Sequence, residues 1–144
     1  CGHYSVIHRL KDFGAYEGCD VSEHMVNMAR IAFGANVRQA DCYKLPYADS
    51  SFDLVVSGSV LEHVEDWHLA LAEHKRVARS WLLLHRTPMA HELHCELKTA
   101  YGVEMAQWHL PPDLLLASCG GHVEALVTWS QTPTRWQASY LIKL

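Results

Sequence analysis

The chain has 144 residues, the length of one domain. Apolar residues make up 49% and charged residues 19%, which supports a packed core and argues against a disordered chain. The formal charge is −4, with no run of Lys or Arg and no apolar stretch near the roughly 20 residues of a membrane span, so neither nucleic acid nor membrane is expected as a partner.

In chain order, residues 5–12 suit a short helix after a turn at Gly2. Ala15 to Asp20 read as a short strand ending on an acid. Ser22 is placed to cap a helix on which Met25, Met28, Ala29, Ala32 and Phe33 recur at helical spacing until Gly34. Val37 to Ala40 form a weak strand that ends at Asp41. After the Pro46 loop, Phe52 to Ser57 give the clearest strand, with Gly58 at its exit. Asp66 can cap a helix that puts Trp67, Ala70, Leu71, His74 and Ala78 on one face. Trp81 to His85 read as a buried strand closed by Thr87-Pro88. A helix over roughly 89–101 and another near 112–118 are expected next. Val123 to Ser130 and Arg135 to Leu144 then read as two strands around a Thr132-Pro133 turn.

Five cysteines, at positions 1, 19, 42, 95 and 119, are odd in number and widely spaced, with no Cys-x-x-Cys. This predicts free thiols in a reducing cytoplasm. Protonating all 11 histidines would carry the formal charge from −4 to +7, which bears on solubility more than on chemistry. The densest cluster is His85, His91, His94 and Cys95. Its spacing is not His-Glu-x-x-His, and it reads as a polar helix face, so no metal is expected.

Alternating strands and helices predict an α/β fold, with a mostly parallel sheet, helices on both faces and an antiparallel C-terminal hairpin at one edge. Such sheets bind ligands beyond the carboxyl ends of their strands. Gly2, Asp20, Asp41, Ser57 and His85 all fall at such ends. A Gly turn exposes backbone N–H groups, an acid 18 residues on suits the two hydroxyls of a ribose, and Asp41 can accept from an exocyclic amine. Together they suit an adenosine-containing ligand.

In this order the set resembles the class I S-adenosylmethionine-dependent methyltransferases of the small-molecule, type 11-like branch. Cys1-Gly2 resembles the end of the family's acidic-x-Gly-x-Gly loop. Gly18-Cys19-Asp20-Val21-Ser22 resembles the motif whose acid holds the ribose, and Ala40-Asp41-Cys42 the adenine-binding step. Leu45-Pro46-Tyr47 with Phe52 to Ser57 resembles the fourth-strand signature, and Val60-Leu61-Glu62-His63-Val64 the start of the helix after it. The likeness implies a Rossmann-like fold over residues 1–144 as one domain. It also implies S-adenosylmethionine as cofactor, held by Gly2, Asp20, Val21, Asp41, Cys42 and Ser57, and a small-molecule or sugar acceptor. His63 and His85 are the candidates for a catalytic base, with Glu62 a third acidic candidate. Two departures stand out. Tyr4 replaces a loop glycine, and Val77-Ala78-Arg79-Ser80-Trp81 lacks the usual Pro-Gly-Gly turn.

Two other readings compete. A nicotinamide-dependent (NAD) oxidoreductase shares the Gly turn and the acid some 20 residues on. A non-catalytic fragment with a vestigial pocket is suggested by the start at Cys1-Gly2, because the resembled fold has a central first strand immediately before that loop. Without it, the neighbouring strands would stand about 9–10 Å apart, and unpaired sheet edges would favour rearrangement or self-association.

Overall fold

The computed structural model describes residues 15–34, 36–100, 102–132 and 134–144. Gly2, Tyr4 and the helix expected over 5–12 lie outside the described residues. The chain divides into two compact units, Cys1–Pro46 and Tyr47–Leu144.

In the first unit, β1 (Gly18–Asp20) pairs in parallel with β2 (Val37–Gln39) across α1 (Glu23–Phe33). Ser22 keeps an extended backbone, and its hydroxyl accepts the Met25 N–H at 3.3 Å, filling one orphan donor of the first turn. Gly34 ends the helix at φ 60, a left-handed conformation open to glycine, and returns its N–H to Arg30. The buried stripe runs through Val26 and Ala29 against Val37, with Tyr16 and Phe33 packed alongside. Met28 and Ala32, expected inside, are exposed. Arg30 fastens helix to strand by donating to the Val37 carbonyl from Nε (3.0 Å) and Nη2 (2.7 Å).

The second unit is built on a four-stranded sheet of order β3-β4-β8-β7, formed by β3 (Phe52–Gly58), β4 (Ala78–Ala90), β7 (His122–Thr132) and β8 (Arg135–Lys143). β3 and β4 are parallel, whereas β8 runs antiparallel to both β4 and β7, so the sheet is mixed and not mostly parallel as expected. The expected terminal hairpin is therefore present, with β7 at the edge. Leu82, Leu84, Met89, Ala138, Tyr140 and Ile142 form its buried centre. α2 (Trp67–Val77) is capped by Asp66, whose Oδ1 accepts the Leu69 N–H at 3.2 Å. It buries Trp67, Ala70, Leu71, His74 and Val77. Ala78, expected on the same helical face, is already the first residue of β4, so helix passes to strand with no glycine turn between them. The helix expected to open at Val60 is a single 3-10 turn, Leu61–His63.

Two expectations are overturned. Thr87-Pro88 does not close β4, which continues to Ala90; Pro88 stays in the strand by offering its carbonyl to Leu110 N–H at 3.0 Å. The helix expected over 89–101 is absent. β5 (His94–Ala100) pairs antiparallel with β6 (Val103–His109) as a separate two-stranded sheet, and Gly102 at φ 78 serves the turn. His91, His94 and Cys95 therefore lie on a bend and a strand and form no helix face. Met89, Leu93 and Leu97 mimic a helical stripe by their spacing, but tertiary pairing overrides that weak local preference. α3 (Pro112–Cys119) follows as expected, with Pro in its first turn and Gly120 at φ 66 past its end.

A bulge interrupts β4. Leu84 pairs with Tyr140 and Thr87 with Ala138, so His85 and Arg86 together oppose the single residue Ser139. Arg86 takes φ 59, sparsely populated for a residue with a side chain.

Candidate functional site

Within the first unit, the two acids read from the sequence follow consecutive parallel strands. Asp20 ends β1, Asp41 comes just after β2, and the Ala40 N–H donates to the Asp20 carbonyl at 3.0 Å. Each carboxylate is oriented by a backbone donor two residues on. Asp20 Oδ1 accepts the Ser22 N–H at 2.9 Å, and Asp41 Oδ1 the Tyr43 N–H at 2.9 Å. Val21 is 69% exposed beside them, and the Gln39 side chain donates to its carbonyl at 2.9 Å. Burial pushes the Cys42 thiol up to about 11, reinforced by the Asp41 charge. It is a neutral thiol near pH 7. Asp20, Val21, Asp41 and Cys42 are thus gathered at one end of the β1–β2 pair.

Within the second unit, the other expected residues lie at the carboxyl end of β3 and beside it on β4. His85, expected at a strand end, stands five residues before β4 ends at Ala90, because that strand runs on past Thr87-Pro88. Ser57 is buried and pairs with Leu84; Gly58 pairs with His85. Ser59, at φ 53, donates its N–H to the His85 carbonyl at 3.1 Å, fastening the end of β3 to β4. The 3-10 turn then presents Glu62 and His63. His63 Nδ1 lies 2.9 Å from the Ala106 carbonyl of β6. A carbonyl oxygen only accepts, so Nδ1 carries the ring proton and Nε2 of the neutral ring holds the lone pair. That Nε2 is 4.0 Å from Glu62 Oε1. Burial raises the Glu62 carboxyl above its ordinary value, opposed by a backbone hydrogen bond and by His63, the Ser59 hydroxyl and Lys98. His85 differs: its Nδ1 is 3.0 Å from Ser139 Oγ, which also accepts the Arg86 N–H at 3.0 Å. A hydroxyl both donates and accepts, so either ring tautomer satisfies that contact.

A further polar group was not foreseen. Glu96 of β5 receives Arg135 Nη1 at 2.9 and 3.2 Å and His109 Nε2 at 3.1 Å, with His94 Nε2 at 3.7 Å. His109 and Gln107 are buried, and His109 Nδ1 has no hydrogen-bond partner among the described residues. The hydrogen bond from His109 and the charge of Arg135 hold the Glu96 carboxyl below its usual range. Only the period-2 placement of His94 and Glu96 signalled this strand, and a helical reading hides it. Among the described residues, no cluster of three or more side chains is arranged to hold a metal, and no helix is long and apolar enough to cross a membrane.

Known proteins match this arrangement. The family described as a methyltransferase domain matches residues 1–81. The chain is 33% identical over 78 residues to the ubiquinone/menaquinone biosynthesis C-methyltransferase UbiE of Desulfotalea psychrophila, covering 52% of this chain and 32% of that protein. It therefore spans about a third of that curated relative's length. Among solved structures, an S-adenosylmethionine-dependent methyltransferase from Methanosarcina mazei superposes with a TM-score of 0.71 at 16% identity, over 88% of this chain and 80% of that one. The magnesium protoporphyrin IX methyltransferase of Synechocystis, solved with bound S-adenosylhomocysteine, gives 0.66 at 18% identity, over 97% and 69%. At these identities the structures speak for the fold.

Proposed function

The chain belongs to the methyltransferase-domain family, and from that premise we propose that it transfers a methyl group from S-adenosylmethionine to a small-molecule or sugar acceptor. The observation that carries the reading is the pair of backbone-oriented acids, Asp20 and Asp41, directly after two consecutive parallel strands. That pairing fits the hydroxyls of a ribose and the exocyclic amine of an adenine, the two hydrogen-bonding ends of an adenosine.

S-adenosylmethionine supplies an electrophilic methyl group on a positively charged sulfur. The protein's task is then binding and alignment, and orientation can contribute about 7–11 kcal/mol in favourable cases. Asp20 accepts from the ribose, helped by the exposed backbone of Val21. Asp41 accepts from the adenine amine, and the Cys42 backbone N–H donates to the ring. By the family resemblance, Gly2 and Ser57 are assigned to the methionine portion. His63, with Nε2 free to accept, takes a proton from an acceptor that must lose one, and Glu62 beside it stabilises the imidazolium. His85 is the second proton-accepting group, set by Ser139. For a proton-losing acceptor such a base adds about 10²–10⁴-fold.

Calorimetric titration of the chain with S-adenosylhomocysteine and with NADH tests this reading. Saturable binding of S-adenosylhomocysteine, weakened at least about tenfold by Asp20→Asn, is expected. NADH binding in its place would favour the oxidoreductase.

A further inference from the structure

The face of the main sheet beside the β4 bulge carries groups that methyl transfer leaves unused. Directly opposed residues of an antiparallel pair share a face, and Trp129 of β7 lies opposite Gln137 of β8. The bulge delivers Arg86 to the same place, where its Nε donates to Gln137 Oε1 at 3.3 Å. Arg86, Trp129 and Gln137 line an open concavity of about 380 Å³. His85 borders Trp129, the ring centroids standing 6.4 Å apart edge to face.

Three properties of this place point to a ligand. Trp129 leaves 44% of its surface exposed. The Arg86 guanidinium makes no ion pair with a described carboxylate, whereas Arg38, Arg79 and Arg135 make one each, Arg76 makes two, and Arg30 is spent on the Val37 carbonyl. Arg86 is also held at φ 59, a conformation that costs energy for any residue with a Cβ and is typical of residues kept for a task. A guanidinium whose Nε is committed to Gln137 still offers its terminal nitrogens to a carboxylate in two parallel bonds. An indole face receives a planar ring. The volume lies within the about 300–1,000 Å³ of small-molecule sites, with room for one or two rings.

We propose that this concavity binds a planar aromatic anion, with its carboxylate on the Arg86 guanidinium and its ring against Trp129. Gln137 holds the guanidinium in orientation, and the bulge supplies the displacement that aims it. Such a ligand binds here whether or not the chain transfers methyl groups, so the titration with S-adenosylhomocysteine and the test below succeed or fail separately.

The probe is para-hydroxybenzoate, titrated into the isotope-labelled full chain while the Trp129 indole N–H, assigned through Trp129→Phe, is followed by NMR. A saturable shift of that resonance is expected. Two controls should bind at least about tenfold more weakly: para-hydroxybenzamide, which has the shape without the charge, and cyclohexanecarboxylate, which has the charge without the aromatic ring. Arg86→Gly is the informative variant, because glycine adopts φ 59 without strain and preserves the bulge. Its binding should fall at least about tenfold while its Tm stays level or rises. Equal binding by Arg86→Gly, equal binding of the neutral amide, or a Trp129 resonance that does not move would each overturn the proposal.

Discussion

The second unit contains two antiparallel hairpins of opposite construction. β7–β8 extends the main sheet, and its inner strand buries Ala138, Tyr140 and Ile142 at 0–2% exposure. β5–β6 forms a sheet of its own, with Leu97 76% and Val103 54% exposed. Directed polar contacts hold it instead: Trp108 Nε1 donates to the Val64 carbonyl at 3.0 Å, His63 bonds Ala106, and Glu96 binds Arg135. One hairpin is stabilised by apolar burial, the other by a few bonds to particular atoms. The first arrangement is robust to geometry. The second fixes positions around Glu62 and His63 with little core of its own.

Paired substitutions at apolar strand positions give the widest separation. Ile142→Ala should cost about 2–5 kcal/mol in urea denaturation, because it empties a fully buried site. Leu97→Ala, on β5, should change stability by no more than about 0.5 kcal/mol. Comparable losses in the two variants would erase the distinction.

Acid should separate the regions next. His74, buried in α2 with no partner for Nδ1 among the described residues, is lowered by burial to about 4 from an ordinary 6.5, with Glu73 opposing. The unfolded chain therefore binds a proton that the folded one resists. Stability is full above pH 6.5 and falls as pH drops towards 4, by about 3 kcal/mol in all. Glu96 has the same sign in a lower pH window. Its carboxyl is lowered on folding, so its contribution is present above the ordinary carboxylate value and is lost only as pH falls through the lowered one. Acid thus loosens the α2 side before the β5–β6 anchor, and His74→Leu should flatten the stability profile between pH 4 and 6.5. A profile unchanged by that substitution would sink the assignment.

A smaller effect is expected at the anchor itself. Trp108→Phe keeps the ring and removes the bond to Val64, costing about 1 kcal/mol. Amide exchange should quicken in β5–β6 and stay level in β7–β8; acceleration in both would show the hairpins to be one cooperative piece.

The contrast also explains what the sequence disclosed. Helix caps Ser22 and Asp66, the stop at Gly34, the acids at 20 and 41 and the β7–β8 hairpin were legible because each signal lies within a few residues of what it controls. The β5–β6 hairpin was not, because Leu97 and Val103 face solvent and its polar residues turn towards partners far along the chain. Glu96 meets Arg135 across 39 residues, and no local pattern announces that. His63 was visible as a candidate from its motif, but the atom that fixes its tautomer, the Ala106 carbonyl, belongs to that hidden hairpin. His85 was misread as a strand-end residue, because the bulge that carries β4 past it to Ala90 depends on how β4 meets β8.

That bulge sets a phase. Before it the even-numbered Leu82 and Leu84 of β4 stand on the same face as even-numbered residues of β8; after it the odd-numbered Thr87 and Met89 do. β8, which has no extra residue, sets even-numbered residues opposite both groups, Ile142 and Tyr140 before the bulge and Ala138 and Trp136 after it. A strand alternates sides at every step, so one inserted residue exchanges inside for outside at each later position. Arg86 therefore acts on β4 as a single inserted letter acts on a reading frame. Its side chain can be exchanged with little consequence for the frame, but deleting the position would move Thr87 and Met89 to the other face together. In this stretch the number of residues carries information that their identities do not.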